Sequence, residues 1–513
     1  MAVIESASNS KRIAKNTILL YFRMIFLMLI GLYTSRVILD SLGVDDYGIY
    51  NVVGGVVSMF TMISGALSAS ISRFITFELG KGDIEKLNRV FCTSVNIQIL
   101  MSIVFALFAE TIGLWFVNEK LVIDPSRMTA ANWVFQFSVL TFMLNLISVP
   151  YNAEIIAHER MSVFAYITIA EGIGKLIVAW AVAFSNNDKL ILYALLLLII
   201  ALIVRLIYGI YCKRSFSECT YNLLFDKNLL RQMFGFAGWN MIGATSAVCR
   251  DHGGNIIINL FFGTSVNAAR AIAIQVSSVI HHFVSNFQTA LNPQIIKNYA
   301  SGNNNSMMKL VYSGSKFSYY ILFIIALPIF INADYVLSLW LKEVPDHTTN
   351  FMRLILIFTL FESLSGPLMT AMYATGKVRN YQIIVGGIQL LNLPISYLFL
   401  YYGYPSETVF LIAIALSLVA LIARLFVLRP LVNLSISSFL LEVMVNVLII
   451  TIVSAILPAI GYYYLKESFL SFVFICLLSL ISSCLSILYL GCKKNEREVF
   501  WGYVTKIKKG FVI

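Results

Sequence analysis

The chain has 513 residues, of which 59% are hydrophobic and only 12% charged, and it carries a net charge of +11. A soluble domain holds about twice that charged share, and soluble cores seldom keep growing at this length. The composition argues against a water-soluble protein and calls for lipid as the solvent, at about 20 apolar residues per crossing.

The first apolar run follows Lys11, Arg12 and Lys15 and continues to about Leu39. It is too long for a signal-peptide core and lacks a small-residue cleavage site, so a retained helix is expected. Thirteen further runs follow, near 47–72, 89–117, 130–153, 162–185, 189–212, 234–261, 267–291, 312–333, 351–373, 380–402, 407–428, 440–464 and 468–491. The sequence therefore predicts an all-α polytopic membrane protein with 14 transmembrane helices. A barrel would show short alternating segments instead. The last twenty or so residues place Phe500, Tyr503, Val504 and Ile507 at helical spacing beside lysines. They are expected to form a short amphipathic helix on the cytoplasmic surface.

Lysine and arginine fix an expected orientation. With both termini in the cytoplasm, inside segments hold 24 of the 37 basic residues and outside segments 7. That asymmetry follows the positive-inside rule and accounts for most of the basic balance without nucleic acid. The seven cysteines are scattered and show neither a disulfide framework nor metal-ligand spacing.

The chain also repeats itself. At an offset of 220, Gly43, Val56, Ser58, Ile75 and Gly82 meet Gly263, Val276, Ser278, Ile295 and Gly302. At 217, Pro150 and Ala157 meet Pro367 and Ala374; at 219, "ALIVRL" meets "ALIARL". Helices 1–6 and 7–12 are thus expected to form two parallel six-helix repeats with a binding site between them near the midplane. The expected divisions are 1–215, 216–432, two extra helices in 433–492, and a tail in 493–513.

Six basic residues fall within predicted spans: Arg23, Lys175, Arg205, Arg250, Arg270 and Arg424. Each costs about 3 kcal/mol at the bilayer centre on insertion scales. Arg205 and Arg424 lie near helix ends and are expected to snorkel to the headgroups. Arg23, Lys175 and Arg250 lie about 15 Å deep, beside the acids Glu171, Asp251 and Glu362 and the histidines His252, His281 and His282. Within "EGIGKLIVAW", Glu171 and Lys175 stand i,i+4 in the favourable order for an ion pair, and Gly172 and Gly174 admit close neighbours. Arg23, Lys175, Arg250 and Arg270 are candidate substrate-binding residues, since guanidinium forks suit phosphate. Glu171, Asp251, Glu362, His252 and His281 are candidates for charge pairing or ion coupling.

The stretch "SRVILDSLGVDDYGIYNVVGGVVSMF", followed by "SASISRFITFELGKGD", resembles a family of membrane transporters. "VPYNAEIIAHERMSVFAYI" and "GPLMTAMYATGKVRNYQII" support the likeness. The family is the polysaccharide or O-antigen-type lipid-linked oligosaccharide flippases of the multidrug/oligosaccharidyl-lipid/polysaccharide (MOP) exporter superfamily. The resemblance implies two six-helix lobes in a V around a cationic cavity, with two extra helices at the side. It implies alternating access that moves a polyprenyl-pyrophosphate-linked oligosaccharide from the cytoplasmic to the periplasmic leaflet of a bacterial inner membrane. It also implies possible coupling to H+ or Na+, no cofactor, and a place beside polysaccharide assembly machinery. A peptidoglycan-precursor flippase and a multidrug or cation antiporter are the alternatives. No phosphate-binding glycine loop, HExxH or nucleophile elbow marks an enzyme.

Overall fold

Long apolar segments must satisfy their backbone groups internally when the solvent is lipid, and this chain does so with helices. The structure is a computed structural model. It describes residues 2–58, 61–119, 123–222, 224, 226–341, 344–465, 468–493 and 496–498, with side chains from Asn16 onward apart from scattered positions that include Asp251 and His252. Among the described residues there is no strand. The helices are α1 (Ala2–Ser58), α2 (Thr61–Lys81), α3 (Ile84–Phe108), α4 (Leu114–Glu119), α5 (Met128–Ala157), α6 (Met161–Ala183), α7 (Lys189–Ser215), α8 (Lys227–Ala300) and α9 (Asn304–Ile331). They continue with α10 (Ala333–Trp340), α11 (Thr348–Ser363), α12 (Gly366–Thr375), α13 (Val378–Leu390), α14 (Asn392–Tyr401), α15 (Thr408–Val432), α16 (Ile436–Phe439), α17 (Asn446–Tyr464) and α18 (Phe469–Ser486).

Eleven helical stretches among the described residues are long and apolar enough to cross a membrane. The three other expected spans, 47–72, 234–261 and 267–291, are not among them. Where described they are helical, but they carry more polar side chains. α1 runs past the loop expected near 40–46 and breaks only at Gly43, whose φ of 77° and ψ of 171° suit glycine alone. α8 spans both 234–261 and 267–291 without an assigned interruption. A Cβ on Gly254 would nevertheless meet the Arg270 guanidinium at 2.7 Å. On a straight helix those positions would lie about 24 Å apart, so α8 doubles back between them.

The contacts divide the chain into two compact units, Asn16–Met241, and Met1–Lys15 with Ile242–Ile513. Their turns carry the internal repeat. α2 ends at Gly82 (φ 76°) and α8 ends before Gly302 (φ 77°), both left-handed and 220 residues apart. Each is followed by a capping side chain: Asp83 accepts from the Lys86 amide, and Asn303 from the Ser306 amide. α5 closes at Glu159 (φ 58°) and α12 at Gly376 (φ 74°), the offset of 217 read in the sequence. Arg127 bridges Asp46 and Asp188 at 2.5 and 2.7 Å, while His347 pairs with Glu407 at 2.7 Å. His347 and Glu407 stand where the repeat places the equivalents of Arg127 and Asp188. The two halves thus use the same turns and the same clamp with different residues.

The expected extra helices pack on α9 inside the second unit. The Tyr320 hydroxyl donates to Asn446, Tyr319 bonds Thr451 at 2.8 Å, and Lys316 Nζ donates to the Gly491 carbonyl at 3.1 Å. The expected tail helix, with Phe500, Tyr503, Val504 and Ile507, lies outside the described residues.

Candidate functional site

In the first unit, α6 carries the Glu171–Lys175 pair. Glu171 Oε1 and Lys175 Nζ stand 2.6 Å apart, with side chains 33% and 49% exposed. They are open because they line a cavity of about 400 Å³ together with Thr34, Thr168, Tyr50 and Tyr193. Both neighbouring glycines matter to the packing around the pair. A Cβ on Gly172 would meet Leu27 of α1 at 2.5 Å, and one on Gly174 would meet Ile200 of α7 at 2.8 Å. The small residues expected to admit neighbours therefore admit the side chains of both flanking helices.

Arg23, half-buried on α1, lies over the Phe164 ring at 4.6 Å. Tyr208 stands within electrostatic reach of both Arg23 and Glu171. The structure thus gathers Arg23, Glu171 and Lys175 on the α1, α6 and α7 side of one unit. Arg205 stacks on Tyr151 at 4.0 Å.

In the second unit the polar residues of α8 face α11 and α15. Arg250 lies over Phe358 at 5.0 Å, and Arg270, only 5% exposed, lies 5.7 Å from Phe410. His281 is within electrostatic reach of Glu362. Glu362 itself pairs with Arg424, and this overturns an expectation. Arg424 does not snorkel to a headgroup: it is 3% exposed and bonds Tyr381 Oη at 3.1 Å, Ser365 Oγ at 2.7 Å and Glu362 Oε1 at 3.3 Å. Its distance from the helix end suggested a free lipid-facing flank, but α11, the turn before α12, and α13 cover that flank and supply Glu362, Ser365 and Tyr381. The side chains of Asp251 and His252 lie outside the described part of the structure.

Sequence reasoning missed one further cluster. At the C-terminal end of α5, Glu154, His158 and Glu218 bring their ligand atoms within 4.8 Å of one another. "AEIIAHE" shows Glu154 and His158 at i,i+4, but the third member is sixty residues on and meets them only through the packing of α7. The segment carrying Glu218 is strapped to α3 by Asn88, which donates to the Glu218 and Thr220 carbonyls at 2.6 and 2.9 Å, and by Asn96, which donates to Leu224 at 2.8 Å. Asn88, Cys92 and Asn96 repeat every four residues along one face of α3. His158 bonds Glu218 at 2.5 Å and holds that carboxyl below the usual carboxylate range.

With this geometry in view, the comparisons with known proteins can be placed. Residues 254–398 match the MatE family model. The MatE region runs from mid-α8 to α14, inside the second unit, and includes Arg270, His281 and Glu362. No curated protein matches the chain. Solved structures do. A multidrug resistance MATE family transporter of the MOP superfamily in its outward-facing conformation is 12% identical, with a TM-score of 0.72, over 83% of this chain and 96% of that one. MATE in the bent conformation is 12% identical, with a TM-score of 0.73, over 84% and 98%. A MOP superfamily transporter from Pyrococcus furiosus, described as having a binding pocket of reversed polarity, is 13% identical, with a TM-score of 0.69, over 84% and 96%. At such identities the likeness establishes the fold: this chain has the MATE transporter architecture.

Proposed function

We propose that this protein is a multi-pass transporter that carries a polyprenyl-pyrophosphate-linked oligosaccharide from the inner to the outer leaflet of a bacterial cytoplasmic membrane by alternating access. The MATE architecture and the MatE region support transport rather than catalysis. The deep charges support an anionic cargo: Arg23, Lys175 and Arg250 lie deep in the expected spans, and two of the three acids at similar depth, Glu171 and Glu362, each face a cation, Lys175 and Arg424. The reversed-polarity pocket described for the Pyrococcus furiosus transporter gives this reading a precedent on the same fold.

The observation that carries the proposal is the half-open Glu171–Lys175 pair on the wall of this cavity. The pair is not packed dry between helices: it faces about 400 Å³ of accessible space, where a ligand can reach both charges. Protonation of Glu171 releases Lys175 to meet a diphosphate, and the tyrosines and threonines beside it offer hydroxyls to a sugar. The same step gives H+ a way to couple; Na+ is the other coupling ion to test, and the machinery that assembles the polysaccharide is the natural partner.

The test is flipping of defined lipid-linked oligosaccharides in reconstituted vesicles. Lys175→Met should reduce flipping at least about tenfold, an effect of about 1.4 kcal/mol. Glu171→Gln should retain flipping but lose its dependence on a proton gradient. The multidrug fold matches favour a second reading, efflux of cationic compounds. In that case Lys175→Met would spare dye efflux and Glu171→Gln would abolish it. A peptidoglycan precursor offered in parallel separates the remaining alternative.

A further inference from the structure

Two buried acids share one histidine at the end of the first unit where α5 and α7 terminate. Glu154 is 0% exposed and Glu218 5% exposed. Neither carboxylate oxygen of Glu154 has a hydrogen-bond partner among the described residues. Its Oε2 points toward His158 Nε2 at 3.8 Å, and the same nitrogen meets Glu218 Oε1 at 2.5 Å. A buried carboxylate without hydrogen bonds is costly. One imidazolium could balance only one of the two negative charges. A divalent cation would balance both.

The scaffold around these atoms is rigid. Glu154 and His158 sit one turn apart on the same face of α5. The His158 ring is stacked on Phe216 at 4.1 Å with an interplanar angle of 13°. Ser217 Oγ donates to the second oxygen of Glu218 at 3.2 Å, and Asn88 fixes the Glu218 carbonyl at 2.6 Å. The thiols of Cys212 and Cys219 lie in the same pocket, against each other and within electrostatic reach of Glu154. Neighbouring ligands of a tetrahedral ion with bonds of about 2.0 Å lie about 3.3 Å apart. The two separations from His158, 2.5 and 3.8 Å, bracket that edge, and all three ligand atoms lie within 4.8 Å of one another, so an ion enters with shifts of about 1.5 Å or less.

We propose that Glu154, His158 and Glu218 form a binding site for a divalent transition-metal ion of the zinc class, which ties the end of α5 to the segment following α7. The imidazole nitrogen and the carboxylate oxygens are donor types that zinc takes, with a water or the Cys219 thiol available as fourth ligand. Calcium and magnesium are disfavoured because they take six or more ligands that are oxygen, whereas this cluster offers three side chains, one of them an imidazole nitrogen. The site lies apart from the Glu171–Lys175 cavity residues and is independent of the proposed cargo.

The experiment uses the full chain in detergent, stripped with a chelator and titrated with Co2+ as a spectroscopic probe, then competed with Zn2+. The expected result is one Co2+ per chain, with visible absorption bands of a four-coordinate centre that Zn2+ abolishes, and a Tm that rises with either metal. His158→Ala and Glu154→Gln should each weaken binding by at least about 100-fold, on the scale of lost ligand support. His347→Ala, which removes a half-exposed histidine paired to Glu407, should bind like the parent. Absence of saturable one-equivalent binding by the folded parent protein would overturn the proposal, as would binding that survives both His158→Ala and Glu154→Gln. A Glu154→Gln protein that melts higher than the parent, with no metal response in either, would show that Glu154 is simply a neutral buried acid.

Discussion

Arg424 shows how far a single side chain can depart from what its depth suggests. Its guanidinium spends its fork on Tyr381, Ser365 and Glu362 in a pocket closed to solvent and lipid. Removing one partner of a buried ion pair leaves the other without its counter-charge, so Arg424→Ala should destabilise the second unit by about 3–5 kcal/mol. Arg424→Lys should recover little of that, because one ammonium cannot span three acceptors set for a planar fork. Thermal unfolding in detergent checks both, and equal stability of Ala and Lys variants with the parent would remove the network as a structural element. Arg205, its repeat equivalent, lies over Tyr151 and has no carboxylate partner among the described residues. The repeat duplicated the arginine, and only the second copy acquired the acid. That acid was legible in the sequence as a deep Glu362; its partner was not, because the pair is formed by helices 62 residues apart.

Helices in this chain are ended and bent by single backbone positions. Gly43 has open space around it, with nothing within 4 Å of an added Cβ, yet its φ and ψ lie in a region open in practice to glycine alone. The cost of Gly43→Ala is therefore purely one of backbone strain, about 1–3 kcal/mol, and the break in α1 should straighten. Gly65 also has open space but no positive φ, so Gly65→Ala should be neutral or stabilising by up to about 1 kcal/mol. Comparing the melting temperatures of the two variants separates strain from packing, and the same loss in both would refute the strained break. Helix interiors were readable from apolar runs alone. The course of α1 and α8 was not, because whether the chain turns or runs on between two apolar stretches depends on contacts with residues remote in the chain.

At the scale of the whole molecule the repeat governs stability as well as shape. The Arg127 clamp in one half and the His347 clamp in the other join corresponding loops, and in both the carboxylate titrates low. Burial works against the Asp188 carboxylate, but Arg127 and the Leu190 and Ile191 amides outweigh it and hold its pKa below the usual value. Burial likewise opposes Glu407, and His347, its own backbone contact and Asn350 outweigh it. A carboxyl with a depressed folded pKa adds stability above its unfolded pKa and loses it as pH falls through the folded value. Stability should accordingly be flat from neutral pH down to about 5 and fall below about 4. Arg127→Gln should lower stability at neutral pH and make that fall shallower, because the Asp188 carboxyl then loses the partner that holds it below its unfolded value. Melting curves across this range test it; an unchanged profile in Arg127→Gln would detach the clamp from acid stability.

The sequence by itself determined the solvent, the helices and the duplication, because these depend on runs of apolar residues and on spacings within one chain. The pair at Glu171 and Lys175 was legible for the same reason, since four residues on a helix is a fixed distance. Only the tertiary structure decided that the pair lines a cavity, that Arg424 is enclosed by Glu362, Ser365 and Tyr381, and that Glu218 arrives beside Glu154 and His158. Those contacts join residues tens of positions apart. Which helix faces which is settled by packing among many side chains at once, and no local pattern in the chain carries that information.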